Sequence, residues 1–354
     1  MSEPIGDARP GDPGDPEPVS PSLSTAQLPA AAPPLMPPVS PVARDRLAVH
    51  LAWEGVLVII AGVLVGVVLA STPGAHLADI LRPAGYIGLV AAGLALSLRT
   101  GAPNLAVGGI AAAAGVFGAH LVAVSGWSQL PAMTVAVAVA AFAGLVTGLF
   151  VGWLSVPAWA GTLAVAILAQ SAALVISGGQ PVLLRGSGSY PAWAWLAAFA
   201  VVSVGGGALW RVPAVRATLS ARRNAGEAGR RAGLRAELGA IAGLTGSSLL
   251  AGLGGVALTT YLRFGDPSSG GPNLTIIALA AVLLGGVSVF GRRAGIFGTV
   301  LGVLIVEAVV FAMSAHGVPS YWIYVPIGAI ALVGVAVSRS LESVTDHLNR
   351  RAVY

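Results

Sequence analysis

Arg211–Arg235 reads RVPAVRATLSARRNAGEAGRRAGLR and contains seven arginines. The residues on either side of this stretch are mostly Ala, Val, Leu, Ile and Gly. Because a guanidinium stays charged at any physiological pH, this stretch cannot lie in hydrocarbon. It therefore divides the apolar remainder of the chain in two, and its charge indicates the side of a membrane that it faces.

The composition is that of a membrane protein. Of the 354 residues, 56% are hydrophobic and only 9% are charged, whereas a soluble domain carries about 25% charged residues. So few charges cannot solvate a protein surface, and lipid is the expected solvent for most of the chain. The 48 glycines favour a tightly packed bundle, because small residues let helices in lipid approach closely.

Several classes of site are not expected in this chain. All 19 basic residues are Arg, and a Walker A phosphate loop needs Lys. There is no Cys, and the five histidines are never spaced as metal ligands. We therefore predict no catalytic site, no metal and no cofactor. The basic residues lie between apolar spans, which argues against nucleic-acid binding.

The apolar segments predict an all-α, polytopic membrane protein with about ten transmembrane helices, some of them short or broken. Residues 1–46, which are rich in Pro, are predicted to be a disordered tail. The membrane domain is predicted at 47–338, followed by a C-terminal tail at 339–354. Discontinuous helices are expected at the second and eighth spans. The ten spans are 51–70, 84–98, 105–124, 131–154, 158–177, 192–210, 238–261, 274–290, 296–314 and 320–337.

The arginines give these spans a direction. With the N-terminus in the cytoplasm, 15 arginines lie inside and three lie outside, leaving aside Arg9. The reverse orientation would contradict the positive-inside rule. We therefore expect both termini, and the central loop 211–236, to lie in the cytoplasm.

Two acidic residues lie in or near apolar spans. Glu307 is about halfway along its span, where a carboxylate indicates either a pathway-lining residue or a protonated or hydrogen-bonded packing residue. Glu54 lies beside Trp53 near a span end, and we interpret it as interfacial.

Four stretches together resemble one family. They are TGAPNLAVG at 100–108, the segment from VP at 156–157 to GG at 178–179, LGGVSVFGRRAGIFGT at 284–299 and GVPSYW at 317–322. In this order and spacing they resemble motifs of binding-protein-dependent ABC importer permeases, in the branch that handles ribose, other simple sugars or nucleosides. Arg292 and Ala294 replace glycines of the family pattern. Position 104 is Asn, as in the nucleoside branch, whereas the LGG and GVPSYW stretches are closer to the sugar branch.

The central loop carries a fifth resemblance. Its EAGRRAGL at 227–234 is similar to the EAARLAGI segment of these permeases, a short cytoplasmic helix that docks in a groove of the ATPase subunit. Gly233 suits a left-handed helix cap, and an acidic start with a basic end suits the helix dipole. The alternative is a solvated basic loop that only sets topology. The resemblance implies that the ATPase-coupling residues are Glu227, Ala228, Arg230, Arg231, Gly233 and Leu234.

The resemblance implies the membrane permease subunit of an ABC importer, located in the cell membrane and with no catalysis of its own. Two copies, or one copy and a paralogue, would form the pathway for a small solute such as a monosaccharide. A solute-binding protein outside would deliver the solute, and cytoplasmic ATPase subunits would bind ATP. Asn104 and Glu307 are the candidate pathway residues. The alternatives are a nucleoside or branched-chain amino acid permease, an ion-coupled secondary transporter and a membrane enzyme.

Overall fold

The computed structural model describes residues 47–154, 156–184, 191–224, 234–288 and 296–351. These residues form eleven α-helices, a 3₁₀ turn at Ser320–Ile323 and two two-residue strands. The strands β1 (Val182–Leu183) and β2 (Phe264–Gly265) pair antiparallel. The helices are α1 (Leu47–Ser71), α2 (Leu77–Arg99), α3 (Val107–Ala123), α4 (Gln129–Trp153), α5 (Ala158–Ser177), α6 (Ala192–Arg211), α7 (Pro213–Asn224), α8 (Leu234–Leu262), α9 (Gly271–Leu284), α10 (Ile296–Ala315) and α11 (Tyr324–Arg351).

Eight segments of the described chain are long and apolar enough to cross a membrane, and α3 and α9 are shorter apolar helices. Many apolar side chains on the long helices point outward, including Ile59 (66% exposed), Phe142 (64%) and Val201 (70%). A lipid environment accounts for this exposure, because hydrocarbon solvates such side chains. The predicted all-α, multi-pass class is therefore confirmed. The predicted tail 1–46 lies outside the described residues.

The two predictions of broken helices have different outcomes. The second span is a continuous helix, α2, which includes Pro83 and begins at Leu77. The discontinuity was expected because the predicted span, 84–98, is short, but α2 has seven further helical residues before residue 84 and is unbroken. The eighth span is short: α9 ends at Leu284, before Gly286 adopts a φ of +80°. At the C-terminus, α11 continues as one helix through Arg351.

Helix α8 is central to the bundle and packs against α2, α3, α4 and α7. Glycines permit this packing. A Cβ on Gly255 would overlap the backbone carbonyl of Ala111 in α3, and a Cβ on Gly243 would overlap the side chain of Thr100. Such contacts maximise van der Waals packing where lipid provides no hydrophobic drive between helices.

Helix α7 marks one end of the bundle. It is amphipathic and lies against the start of α8, where a Cβ on Gly239 would overlap the carbonyl oxygen of Thr218. The last turn of α4 lies at the same end, because Gly152 faces Glu237 of α8. Helix α5 begins at Ala158 shortly after α4 ends, so its start is also at the α7 end.

Helices α3 and α9 both begin in the interior of the bundle. A Cβ on Gly109 in α3 would lie 2.6 Å from the carbonyl oxygen of Ala166 in α5. Ala166 lies eight residues after the start of α5 and eleven before its end, or about 12 Å and 16 Å along the helix. A Cβ on Gly108 would overlap the carbonyl oxygen of Gly271. The first turns of α3 and α9 are therefore adjacent, at about mid-height of α5.

We expect Gly255→Ala to destabilise the protein, because its new methyl group would force α3 and α8 apart. Overpacking of this kind costs about 1–3 kcal/mol and should lower the melting temperature in detergent by about 5 °C. The matched control is Gly206→Ala in α6, where a Cβ meets nothing within 4 Å. Equal melting temperatures for the two variants would contradict the packing described for α8.

Candidate functional site

A buried turn joins α2 to α3 and contains Asn104, which is 1% exposed. The Asn104 side-chain Oδ1 accepts a hydrogen bond from the backbone N–H of Ala106 at 3.0 Å. Its Nδ2 donates to the hydroxyls of Ser247 and Ser248 in α8, both at 3.1 Å. The amide is thus fully used inside the protein, and it ties the turn to the middle of α8.

Hydroxyl groups from other helices satisfy the backbone of the same turn. Thr162 Oγ1 of α5 accepts from the N–H of Leu105 at 3.1 Å, and Thr275 Oγ1 of α9 accepts from the N–H of Gly108 at 3.0 Å. Ser97 Oγ accepts from the Asn104 N–H at 3.0 Å. Only the Gly108 N–H belongs to the first turn of α3, where N–H groups have no partner within the helix. Thr275 therefore satisfies the start of α3, whereas Thr162 and Ser97 satisfy the backbone of the turn before it.

Glu307 lies in the middle of α10 and is 3% exposed. Its Oε1 has no hydrogen-bond partner among the residues that the structure describes. It lies near Tyr86 of α2, whose ring lies 5.7 Å from that of Tyr261, measured between centroids. A buried carboxyl oxygen without a partner is costly, so this position is a candidate for a role beyond packing.

The structure does not bring Asn104 and Glu307 together. Glu307 is associated with Tyr86, whereas Asn104 binds Ser97 of the same helix. These two α2 residues are eleven positions apart, which is about 16 Å along a helix. Both side chains point into the bundle, and their assignment to a solute pathway stays a prediction.

The predicted coupling segment is described only at its last residue. Glu227, Ala228, Arg230, Arg231 and Gly233 lie outside the described residues. Leu234 is the first residue of α8, and its side chain is 72% exposed. The helix that precedes the segment, α7, packs against α8. The interpretation of 227–234 as a docking segment is therefore untested.

Sequence reasoning missed the role of two neighbouring residues in α1. Glu54 Oε1 accepts a hydrogen bond from the N–H of Gly298 in the first turn of α10 at 3.2 Å. Trp53 Nε1 donates to the carbonyl oxygen of Leu284, the last residue of α9, at 3.1 Å. A carboxylate near a helix N-terminus and a donor near a C-terminus both complement the helix dipoles. The signal in the sequence was a polar pair within an otherwise apolar helix.

A cavity of about 490 Å³ lies between α2, α6, α7, α8 and α10. Its lining is mainly apolar and includes Leu96, Val202, Leu219 and Leu250. The guanidinium of Arg99, also in the lining, lies 4.3 Å from the centre of the Trp210 ring. Val215 and Leu219 of α7 form part of the cavity lining.

Comparisons with known proteins cover most of the membrane region. Residues 76–335 match the family described as branched-chain amino acid transport system / permease component. An L-arabinose ABC transporter permease protein of Azospirillum brasilense is 29% identical over 294 residues, covering 77% of this chain and 85% of that protein. A ribose import permease protein of Bacillus subtilis is 28% identical over 278 residues, covering 75% and 84% of the two chains.

A galactofuranose transporter permease protein of Escherichia coli is 28% identical over 251 residues, covering 68% of this chain and 73% of that protein. No solved structure matches the chain. These findings confirm the resemblance inferred from the sequence motifs. Because the family match spans well over half of the chain, the protein belongs to the branched-chain amino acid transport system / permease component family, and it is a multi-pass membrane transport subunit rather than an enzyme.

Proposed function

We propose that the protein is the permease subunit of an ABC importer and passes a monosaccharide across the cell membrane. The observation that carries this proposal is its similarity, over about three quarters of the chain, to permeases named for L-arabinose and ribose. The family description favours a second candidate solute, a branched-chain amino acid. A nucleoside remains the third candidate, because of Asn104 in the turn between α2 and α3.

We further propose ten membrane crossings with both termini in the cytoplasm. Eight described segments are long enough to cross alone, and α3 and α9 would complete their crossings with the irregular segments next to them. The distribution of 15 arginines inside and three outside supports this orientation. In it, α7 and the central loop lie on the cytoplasmic side.

Coupling to ATP is proposed to act through the central loop. Cytoplasmic ABC ATPase subunits would bind ATP and dock on residues 227–234, and the permease itself would hold no cofactor. Helix α7 precedes this segment and contacts α8, which contacts α2, α3 and α4. A push on the loop would therefore reach most of the bundle through α8. ATPases that favour one permease arrangement shift the population toward it.

Two other partners complete the proposed assembly. A solute-binding protein would deliver the sugar from outside, and a second copy or a paralogue would form the other wall of the pathway. Asn104 and Glu307 are proposed to lie near this pathway. The Asn104 amide is bonded to Ser247 and Ser248, so we expect it to stabilise the wall of the pathway and not to bind the solute. The Oε1 of Glu307 has no partner among the described residues and is available to accept a hydrogen bond.

We expect uptake of D-ribose or L-arabinose by proteoliposomes that contain the permease, its ATPase and its binding protein, and only when ATP is supplied inside. The measurement is accumulation of radiolabelled sugar, with unlabelled L-leucine and uridine as competitors. Inhibition by leucine or uridine, but not by sugars, would replace the monosaccharide with that solute. Uptake by the permease alone along an ion gradient would overturn the importer assignment.

The double substitution Glu227→Ala with Arg230→Ala should loosen retention of the ATPase, because it removes charged groups from the proposed docking helix. The amount of ATPase that co-purifies in mild detergent measures the effect, and the amount of permease in the membrane shows that insertion is unchanged. Glu342→Ala with Arg350→Ala is a charge-matched control in α11. Equal retention in both variants would discredit the docking assignment.

Substitution Glu307→Gln should lower sugar uptake about tenfold while the assembly stays intact, since intramembrane carboxylates are usually functional. Glutamine has nearly the same shape as glutamate, so the melting temperature of the variant should not fall. Thr147→Val is the control, because Thr147 is 5% exposed and, among the residues that the structure describes, its hydroxyl bonds the carbonyl of Ala143 in its own helix. Normal uptake by Glu307→Gln would identify Glu307 as a packing residue.

A further inference from the structure

The segment that leads into α9 is irregular and lies deep in the bundle. It follows β2, and Gly265 faces Gly115 and Ala119 of α3. Further along, Gly270 faces Ala112 and Gly108 of the same helix. The segment therefore descends along α3 by about two helical turns, from near the end that lies opposite α7 toward the middle.

The contacts of Gln170 show how deep in the bundle α9 begins. Gln170 Nε2 of α5 donates to the carbonyl oxygen of Pro267 at 2.6 Å, and a Cβ on Gly271 would lie 2.6 Å from Gln170 Oε1. Gln170 lies seven residues before the end of α5, about 10 Å along that helix. The 14 residues of α9 then extend for about 21 Å toward the α7 end.

Part of this deep region is exposed on the surface of the single chain. Ser268, Pro272 and Asn273 are exposed, and they are followed on the same side of α9 by Ile276, which is 42% exposed. We call Ser268, Pro272 and Asn273 the mid-membrane polar face. The opposite side of α9 is buried, where Thr275 contacts α3.

This face cannot contact lipid. Irregular backbone at membrane depth is tolerated only where it is buried in protein or lines a water-filled cavity. The half-buried Asp266 adds a carboxylate, which accepts hydrogen bonds from Ser268 Oγ at 2.7 Å and Ser269 Oγ at 2.7 Å. A carboxylate facing hydrocarbon would be costly. Water, a solute or another protein must cover the face in the membrane.

The chemistry of the face favours a neutral, hydroxyl-rich solute. Asn273 has no hydrogen bond to any residue that the structure describes, and its amide offers both a donor and an acceptor. Gln170 Oε1, next to Gly271, is a buried acceptor that also lacks a partner within the described chain. The Asp266 carboxylate is already occupied by serines. The group that remains exposed on the face is the uncharged Asn273 amide, in the first turn of α9. This turn is a half-helix N-terminus of the kind that builds transporter sites.

We propose that the mid-membrane polar face lines the solute pathway and that Asn273 contacts the hydroxyl groups of the passing sugar. This proposal rests on the proposed permease function and assigns the surface of this chain that faces the solute. The second copy would then stand opposite α9, with an aqueous space between the two subunits.

The absence of Cys from the sequence permits a direct test with single cysteines. Asn273→Cys and Ser268→Cys would be made in the full chain, purified with its ATPase and placed in lipid nanodiscs. The control is Val201→Cys, which is 70% exposed and lies in the middle of the apolar helix α6. The measured quantity is the rate of reaction with a charged, water-soluble methanethiosulfonate reagent, with and without D-ribose and its binding protein.

We expect the cysteines at 268 and 273 to react at least about tenfold faster than the one at 201, because a thiol reacts as the thiolate and needs water. Turnover with D-ribose should slow their reaction. A cysteine at 273 as inert as that at 201 would show a dry surface and overturn the proposal. The accessibility of these cysteines does not depend on which solute is carried. Fast labelling without sugar uptake would therefore contradict only the proposal that the solute is a monosaccharide.

An independent readout uses the conservative variant. Asn273→Gln keeps the amide and should retain most uptake, whereas Asn273→Leu should raise the sugar concentration needed for half-maximal uptake or abolish uptake, with ATPase retention unchanged. If Asn273→Leu transports as well as the unsubstituted protein, Asn273 makes no contact that matters to the solute.

Discussion

Backbone N–H and C=O groups at the depth of a bilayer have no water to bind, and this constraint shapes the interior of the protein. The chain leaves helical geometry between Thr100 and Ala106, inside the bundle, so its backbone groups need other partners. Side chains of Ser97, Thr162 and Thr275 supply them. One turn thereby holds α2, α5 and α9 together, and Asn104 adds α8. The TGAPNLAVG turn therefore has a structural role, which is to join these four helices.

Glycine makes the junction possible. Helices α3 and α9 begin side by side because Gly108 and Gly270 have no side chains to separate them. Thr275 can then reach across to the backbone of α3. The same close approach places an irregular segment and a helix N-terminus at mid-height of the bundle. Tight packing on one side of α9 and polar exposure on its other side are thus two results of one arrangement.

Much of the architecture was predictable from the sequence, because hydropathy reports helices that lie in lipid. The helices at 131–154, 158–177 and 192–210 lie within one or two residues of their predicted bounds. The prediction failed where a local rule competed with tertiary packing. The second span was predicted to begin at residue 84, but α2 begins at Leu77 and continues through Pro83. The partners of Asn104 could not be predicted, since Ser247 and Ser248 lie more than 140 residues away in the chain.

The first helix lies outside the region that the family match covers and is nevertheless bonded to it. The family match begins at residue 76, after α1 has ended. Yet Trp53 and Glu54 bind the facing ends of α9 and α10, which belong to the matched region. A protein trimmed to the matched residues would keep every shared motif and lose the two bonds that bracket the LGG motif. A boundary drawn at residue 76 would separate α1 from the helix ends that it binds.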